Sequence, residues 1–582
     1  MRKLFLQMFS FALLSFCTIE SIAQGFLKTQ GHHIVNGKGE KIILRGMGLG
    51  GWMLQEGYMF QLGNIGQQYR IREKIKEVVG EEKTRVFYDT WLKQHTTKKD
   101  INAMAQWGFN SIRLPMHYDL YTLPADQEPV PGKNTWLEKG FEMTDLLLEW
   151  CKQNKIYLIL DLHAAPGGQG NDLAISDRNP DQPSLWGSEA NQQKTIALWK
   201  KLADRYKDEE WIGGYDIINE PNWGFEDPKD FRGTAERKNE PLKKLMVEIT
   251  KAIREVDKKH IIIIEGNGFG NNYHGILPAW DNNMVLSFHK YGNFNTKGAI
   301  QYFLDLREQY NMPLWLGESG ENSNTWFTEA IALVESHGIG WAWWQEKKMG
   351  INNPLEIKRP EHYQVLLDFW SEKGPKPTEA EAWKILSELL ENLKIENNIF
   401  HPDVVDAMFR QVHSTETRPF KRHALDETLV MKAVDFDLGR QRLAYYDLDS
   451  ASYHYTPGVD TKGNRGRAYR NDGVDIQHGK EGYHVFSMED GEWLQYSFVM
   501  NRNDWYHLSV ELSADTTGGA YSLLINGQEM LAGSMVENTG GKENWKETAP
   551  MIVYLKKGLN QFRFRVDKGG FQFRKIHIRK KK

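Results

Sequence analysis

Eight short apolar runs punctuate the chain between about Lys41 and Trp344, and most are separated by segments with helical spacing. The runs are Ile42–Gly46, Phe109–Leu114, Ile156–Asp161, Gly213–Ile218, His260–Glu265, Met284–His289, Met312–Gly317 and Ile339–Trp344. The segments Thr135–Gln153, Asn191–Tyr206, Leu242–Val256 and Thr325–Ser336 repeat apolar residues at helical intervals. Strands alternating with helices pair in parallel through right-handed crossovers. Eight such units over about 300 residues predict an α/β fold, a (β/α)8 TIM barrel. An open doubly wound sheet is the rival, but it would gather its ligand residues at one switch point. Gly66–Gln94 is read as a helical insertion between the first two strands.

The residues that close these runs carry the chemistry. The second run ends in Arg113, the third in Asp161 and His163, the fourth in Asn219 and Glu220, the fifth in Glu265. The sixth ends in His289 and Tyr291, the seventh in Glu318 and the eighth in Trp344. Barrel active sites are built at the carboxyl face from several strands at once. Taken alone, Glu220 reads equally as the opening of a helix with Pro221 in its first turn. A second apolar run ending on a carboxylate, LWLGESG at Glu318, favours the other reading. Two strand-end glutamates are what two-carboxylate glycosidic-bond cleavage requires, one protonated and one ionised.

The neighbours fit that reading. Asn219 is a donor for a sugar 2-hydroxyl. Arg113 and the Tyr291 hydroxyl are placed to hold Glu318 ionised. His163 and His289 are read as hydroxyl contacts and Trp344 as a stacking floor. Glu265 reads equally as structural. Metal-dependent chemistry is the alternative, from His32-His33, His163 and His289, but no HExxH or carboxylate-rich cluster supports it.

At 582 residues the chain is too long for one ordinary domain. The net charge of −4 leaves no electrostatic footprint for nucleic acid. The segment 1–23 reads as a signal peptide: Arg2 and Lys3, an apolar run Leu4–Phe16 too short to span a bilayer, then small residues to Ala23. Export to the periplasm or the medium is expected, as a monomer. Cys151 is then the one cysteine left, so no intrachain disulfide can form. No other run is long enough for a membrane helix. Residues 24–394 are assigned to the barrel with covering helices at Glu361–Ser371 and Thr378–Leu393, and 395–425 to a linker or barrel surface segment. Residues 426–582 show short alternating segments with tight-turn pairs such as Asn526-Gly527, which predicts a β-sandwich.

The barrel motifs SIRLP, LDLHAAPGG, INEP, FHKYG, LGESG and GWAWW resemble glycoside hydrolase family 5, the cellulase-type family of retaining β-glycosidases, in the family's order. That resemblance implies Glu220 as acid/base and Glu318 as nucleophile, with a polysaccharide as substrate and no cofactor. LRGMGLGGWMLQEG and HAAPGGQ look most like the exo-β-1,3-glucanase branch, in which the glutamate matching Glu56 reaches the terminal sugar. The segments AVDFDLG, GRAYRNDGVDI, GEWLQYSF and GLNQFRFRVDKGGF resemble carbohydrate-binding module family 6. By that resemblance Tyr469 and Trp545 would sandwich a sugar, with Gln572 and Arg574 where asparagines usually complete the cleft. Trp493 is assigned to the core. Modules of this family often carry a structural calcium, but no acidic cluster here asserts one.

Overall fold

The computed structural model describes residues 25–581 apart from 228 and 426; the expected signal peptide lies outside the described residues. Eight parallel strands close into a barrel. They are β1 (Arg45–Gly48), β2 (Ser111–His117), β3 (Tyr157–Ala164), β4 (Ile212–Asp216), β5 (Ile262–Glu265), β6 (Met284–Lys290), β7 (Leu314–Gly320) and β8 (Gly340–Trp344). Neighbours follow chain order, and β8 pairs with β1. Nearly every strand residue is buried, as a sheet covered on both faces demands. Several strands run further toward their carboxyl ends than the apolar runs suggest, because their last residues are polar yet buried. The register sets Asp161 beside Asp216 and His289 beside Glu318.

The insertion is a helix, Gln68–Gln94, with a break at Gly80, where φ is 76°. It packs with the covering helix Glu379–Asn392 in an apolar cluster that includes Phe87, Trp91, Leu386 and Trp344. The end of β8 therefore rests on residues outside the eightfold repeat.

The segment 395–425 is divided between the two halves of the molecule. Its helix Pro402–Met408 packs on the barrel helix Asn324–Ser336, where Thr328 Oγ1 donates to the Ala407 carbonyl (2.9 Å). Its last pair, Ala424–Leu425, adds to the sandwich beside Trp493–Met500. The sandwich has two sheets around a core that includes Phe498, Phe562, Phe564, Phe573 and Ile576. Asn526 and Gly527 both have positive φ (51° and 81°), the geometry of a two-residue hairpin turn. The strand Gln528–Met535 has no alternating burial, so no sequence periodicity announced it. Trp493 departs from the core assignment. Leu494 and Tyr496 point inward, and the Trp493 ring lies half-buried outside under the Arg563 guanidinium at 3.7 Å.

Barrel and sandwich are joined by buried polar contacts. Asn471 donates through Nδ2 to the Asn322 carbonyl (2.8 Å) and through its backbone N–H to Asp403 (2.8 Å). Tyr445 and Thr325 share a hydroxyl–hydroxyl bond of 2.8 Å.

Candidate active site

The strand ends converge on Arg113, which is fully buried on β2. Its guanidinium donates to Glu318 (2.8 Å), Asp216 (2.8 Å), Asn219 (2.7 Å) and Glu265 (3.0 Å), and Asp161 stands 3.3 Å away. One cation cannot balance so many carboxylates in a dry interior. A second cation is His289. Burial alone would lower its pKa, but Glu265, Glu318 and Glu220 override burial and hold it well above the usual range. The imidazolium lies 2.6 Å from Glu220 Oε1 through Nδ1 and 3.1 Å from Glu265 through Nε2. Burial, and then Glu265, push the Asp216 carboxyl well up, against Arg113. Against burial, His289 and Arg113 hold Glu265 at about 2.

Glu220 is not the first turn of a helix. It has positive φ (39°), and its backbone N–H donates to Glu265 Oε2 at 2.7 Å. This kink at the end of β4 turns its carboxyl toward β6 and β7. A carboxylate oxygen of Glu220, one of Glu318 and a nitrogen of His289 all lie within 4.8 Å of one another. Retaining glycosidases hold their two carboxyls roughly 5–5.5 Å apart. Tyr291 donates its hydroxyl to Glu318 Oε1 (2.7 Å), opposite the Arg113 bond to Oε2. Burial pushes the Tyr291 phenol well up, so it remains a donor.

The surroundings of Glu318 pull its ionisation in opposite directions. Burial pushes its carboxyl up and Glu220 adds to the rise, against His289 and Arg113. The net direction is up: the cations limit the cost of burying Glu318 but do not reverse it. The histidines have protein partners too. His163 Nδ1 lies 2.7 Å from Asp161, and its Nε2 accepts from Asn219 Nδ2 at 3.3 Å. With His289 Nδ1 on Glu220 and its Nε2 3.1 Å from Glu265, both rings orient the machinery.

Glu56, His163, Glu220, His289, Tyr291, Glu318 and Trp344 line one cavity of about 600 Å³. Trp344 lies parallel to His163 (centroids 5.1 Å) and donates Nε1–H to the Tyr58 hydroxyl at 2.8 Å. A side chain at Gly50 would fall 2.7 Å from the Trp344 ring, which accounts for glycine there. Burial, then Glu318 and Glu321, push the Glu56 carboxyl well up.

Residues 73–350 match the model of the cellulase family, glycosyl hydrolase family 5, and residues 467–580 that of carbohydrate binding module family 6. The chain carries a glycoside hydrolase family 5 domain and a family 6 module. It is similar to a beta-xylosidase of Phanerodontia chrysosporium, at 29% identity over 60% of this chain and 76% of that one. It is similar to endoglucanase C of Acetivibrio thermocellus, at 25% identity over 47% of this chain and 91% of that one. A probable glucan 1,3-beta-glucosidase A of Aspergillus clavatus is 30% identical over 31% of this chain and 41% of its own length. The protein is a glycoside hydrolase.

In the family 6 module each of the expected cleft residues has protein neighbours of its own. Tyr469 packs on Tyr483 (centroids 4.9 Å) at the margin of the module core and donates its hydroxyl to Asp435. Trp545 packs on His484 (4.9 Å) and under the Arg574 guanidinium (4.7 Å). Residues 483 and 484 are successive on a strand, so their side chains point to opposite faces. Gln572 is buried with its Oε1 unpartnered, and Arg574 is engaged by Glu481 and Glu511.

The family 5 cavity also includes residues that strand-end reading passed over: Tyr58, Glu321, His454 and Tyr455. Asp216, which steadies Arg113, was passed over too. Its signal was present in GGYDII, a charged residue inside an apolar run.

Proposed function

We propose that the protein cleaves β-glucan with net retention, with Glu318 as nucleophile and Glu220 as acid/base, favouring β-1,3-glucan and acting from chain ends. The observation that carries this reading is the approach of the two carboxylates to within 4.8 Å. In the first step Glu318 attacks the anomeric carbon while Glu220 protonates the departing glycosidic oxygen. In the second, Glu220 takes a proton from water as that water displaces Glu318. Arg113 and Tyr291 aim the nucleophile, and His289 aims the acid. The β-1,3 preference rests on LRGMGLGGWMLQEG and on the relative named as a glucan 1,3-beta-glucosidase. The match over 91% of an endoglucanase supports the second reading, endo attack on β-1,4-glucan. Export through residues 1–23 belongs to the same proposal, since polysaccharide cannot enter a cell intact.

The test is a time-resolved product profile against laminarin, cellulose, mixed-linkage glucan, xylan and mannan. Glucose released alone from laminarin from the earliest time supports the first reading. Mixed oligosaccharides from cellulose would replace it with the second. No new reducing ends from any β-glucan would overturn both, and undiminished turnover by Glu318→Ala would remove the nucleophile.

A further inference from the structure

The catalytic pocket is not walled by the barrel alone. Between Tyr446 and Ile476 the module has a long segment without helix or strand, a length that is uncommon unless the loop has work to do. Its tip is built into the barrel. Ala451 belongs to the barrel core. Ser452 and Asn322 exchange two hydrogen bonds: Ser452 N–H to Asn322 Oδ1 (3.0 Å), and Asn322 Nδ2 to the Ser452 carbonyl (2.6 Å). The Tyr453 ring packs on Phe294 with centroids 4.6 Å apart. The His454 ring covers Gly292 so closely that a Cβ there would lie 2.5 Å from it. The Tyr455 backbone N–H donates to the Gly292 carbonyl at 2.8 Å. Gly292 directly follows Tyr291, the residue that holds Glu318.

Tyr455 itself is treated differently from its neighbours. Its backbone is fixed, yet the residue is 66% exposed, with its ring against that of His454. It lines the cavity that contains Glu220 and Glu318. Docking of the two domains is already accounted for by Ala451, Ser452 and Tyr453, so docking does not explain an open ring at position 455. A flat amphipathic ring on a rigid backbone, open to a carbohydrate cavity, has the chemistry to cover the apolar face of a pyranose while its hydroxyl stays wet.

We infer that the module contributes a sugar subsite to the catalytic pocket itself, with Tyr455 stacking on a glucose unit next to the one being cleaved in a bound β-gluco-oligosaccharide. This rests on the pocket being the glycosidase site. The module is then a wall of the active site as well as a domain beside it, and the reach of the pocket along its substrate is set by both domains.

The test is calorimetric titration of laminaritetraose and cellotetraose into full-length Glu318→Gln, alone and combined with Tyr455→Ala or Tyr455→Phe. Tyr455→Ala is expected to weaken the better-bound tetraose about ten-fold, the order of one lost aromatic platform. Tyr455→Phe keeps the ring and should stay within about two-fold of the parent. In the active enzyme, Tyr455→Ala should raise KM for the same tetraose with kcat little changed. Tyr554→Ala, an exposed aromatic elsewhere on the sandwich, is the control and should change neither. Equal affinities for the Ala variant and its parent overturn the inference, as does a parent that binds neither tetraose. If the native enzyme releases no reducing ends while Tyr455→Ala still weakens binding, the subsite stands and the proposed reaction fails.

Discussion

The Arg113 guanidinium lies 2.8 Å from the Glu318 carboxylate, and the same planar group also serves Asp216, Asn219 and Glu265. A fork of fixed donors does this; a lysine ammonium, one point charge on a flexible stem, cannot. Arg113→Lys should therefore keep the fold but lower kcat by about 100-fold or more, because an aimed nucleophile is lost. Arg113→Met should cost about 3–5 kcal/mol in urea unfolding, since buried carboxylates lose their cation. A Lys variant with native kcat would show that the fork is only structural.

The raised carboxyl of Glu318 has a consequence for pH. The nucleophile must be ionised, and it is lost as pH falls through its pKa. Burial and Glu220 move that pKa up from the ordinary 4.5. The acid limb of kcat/KM should accordingly lie above 4.5. His289 opposes the rise. His289→Asn removes that cation and should carry the limb upward again, by about one unit for a charge this close. A limb that stays put, or moves down, would mean that another group governs it.

Tyr291 makes one hydrogen bond that matters, to Glu318 Oε1 at 2.7 Å. Tyr291→Phe keeps the ring and deletes the donor. A hydrogen bond to a charged group contributes about 1.5–3 kcal/mol, so kcat/KM should fall about 10- to 100-fold. The melting temperature should hardly move, which separates this effect from a damaged fold. Steady-state rates on an aryl β-glucoside, beside a thermal melt, decide it.

Much of the barrel was legible because its physics is periodic. Strands covered on both faces must be apolar throughout, so Ile262–Glu265 and Met284–Lys290 stand out from the amphipathic helices around them. Glu220 and Glu318 stood out for the opposite reason: a carboxylate is costly where such a strand ends. Asp216 was hidden because one charge inside GGYDII looks like an imperfection until Arg113 is seen beside it. Glu265 could not be assigned from its own strand, since its partners, Arg113, His289 and the Glu220 N–H, come from three others. That His163 and His289 also orient Asp161, Asn219 and Glu220 could not be read from the chain, because such partners are tertiary facts. Tyr455 lies more than a hundred residues beyond the last barrel strand, and no local pattern links it to Glu318.

The joint between the domains is buried and polar, which makes it stiff. Asn471 is 5% exposed and meets Asn322, Asn324 and Asp403 at once. A tethered module would unfold independently of its barrel; a module sharing buried hydrogen bonds, and lending Ala451 to the barrel core, should not. Scanning calorimetry of the full chain is expected to show one endotherm. Asn471→Ala leaves the Asn322 carbonyl and the Asn324 side-chain oxygen with fewer partners, a loss of about 1–3 kcal/mol, and should lower the melting temperature or separate the transition into two. Two resolved endotherms in the native protein, unaltered by Asn471→Ala, would show that the domains are merely adjacent. The wall that Tyr455 forms depends on the same joint, so loosening Asn471 should also raise KM for the tetraose.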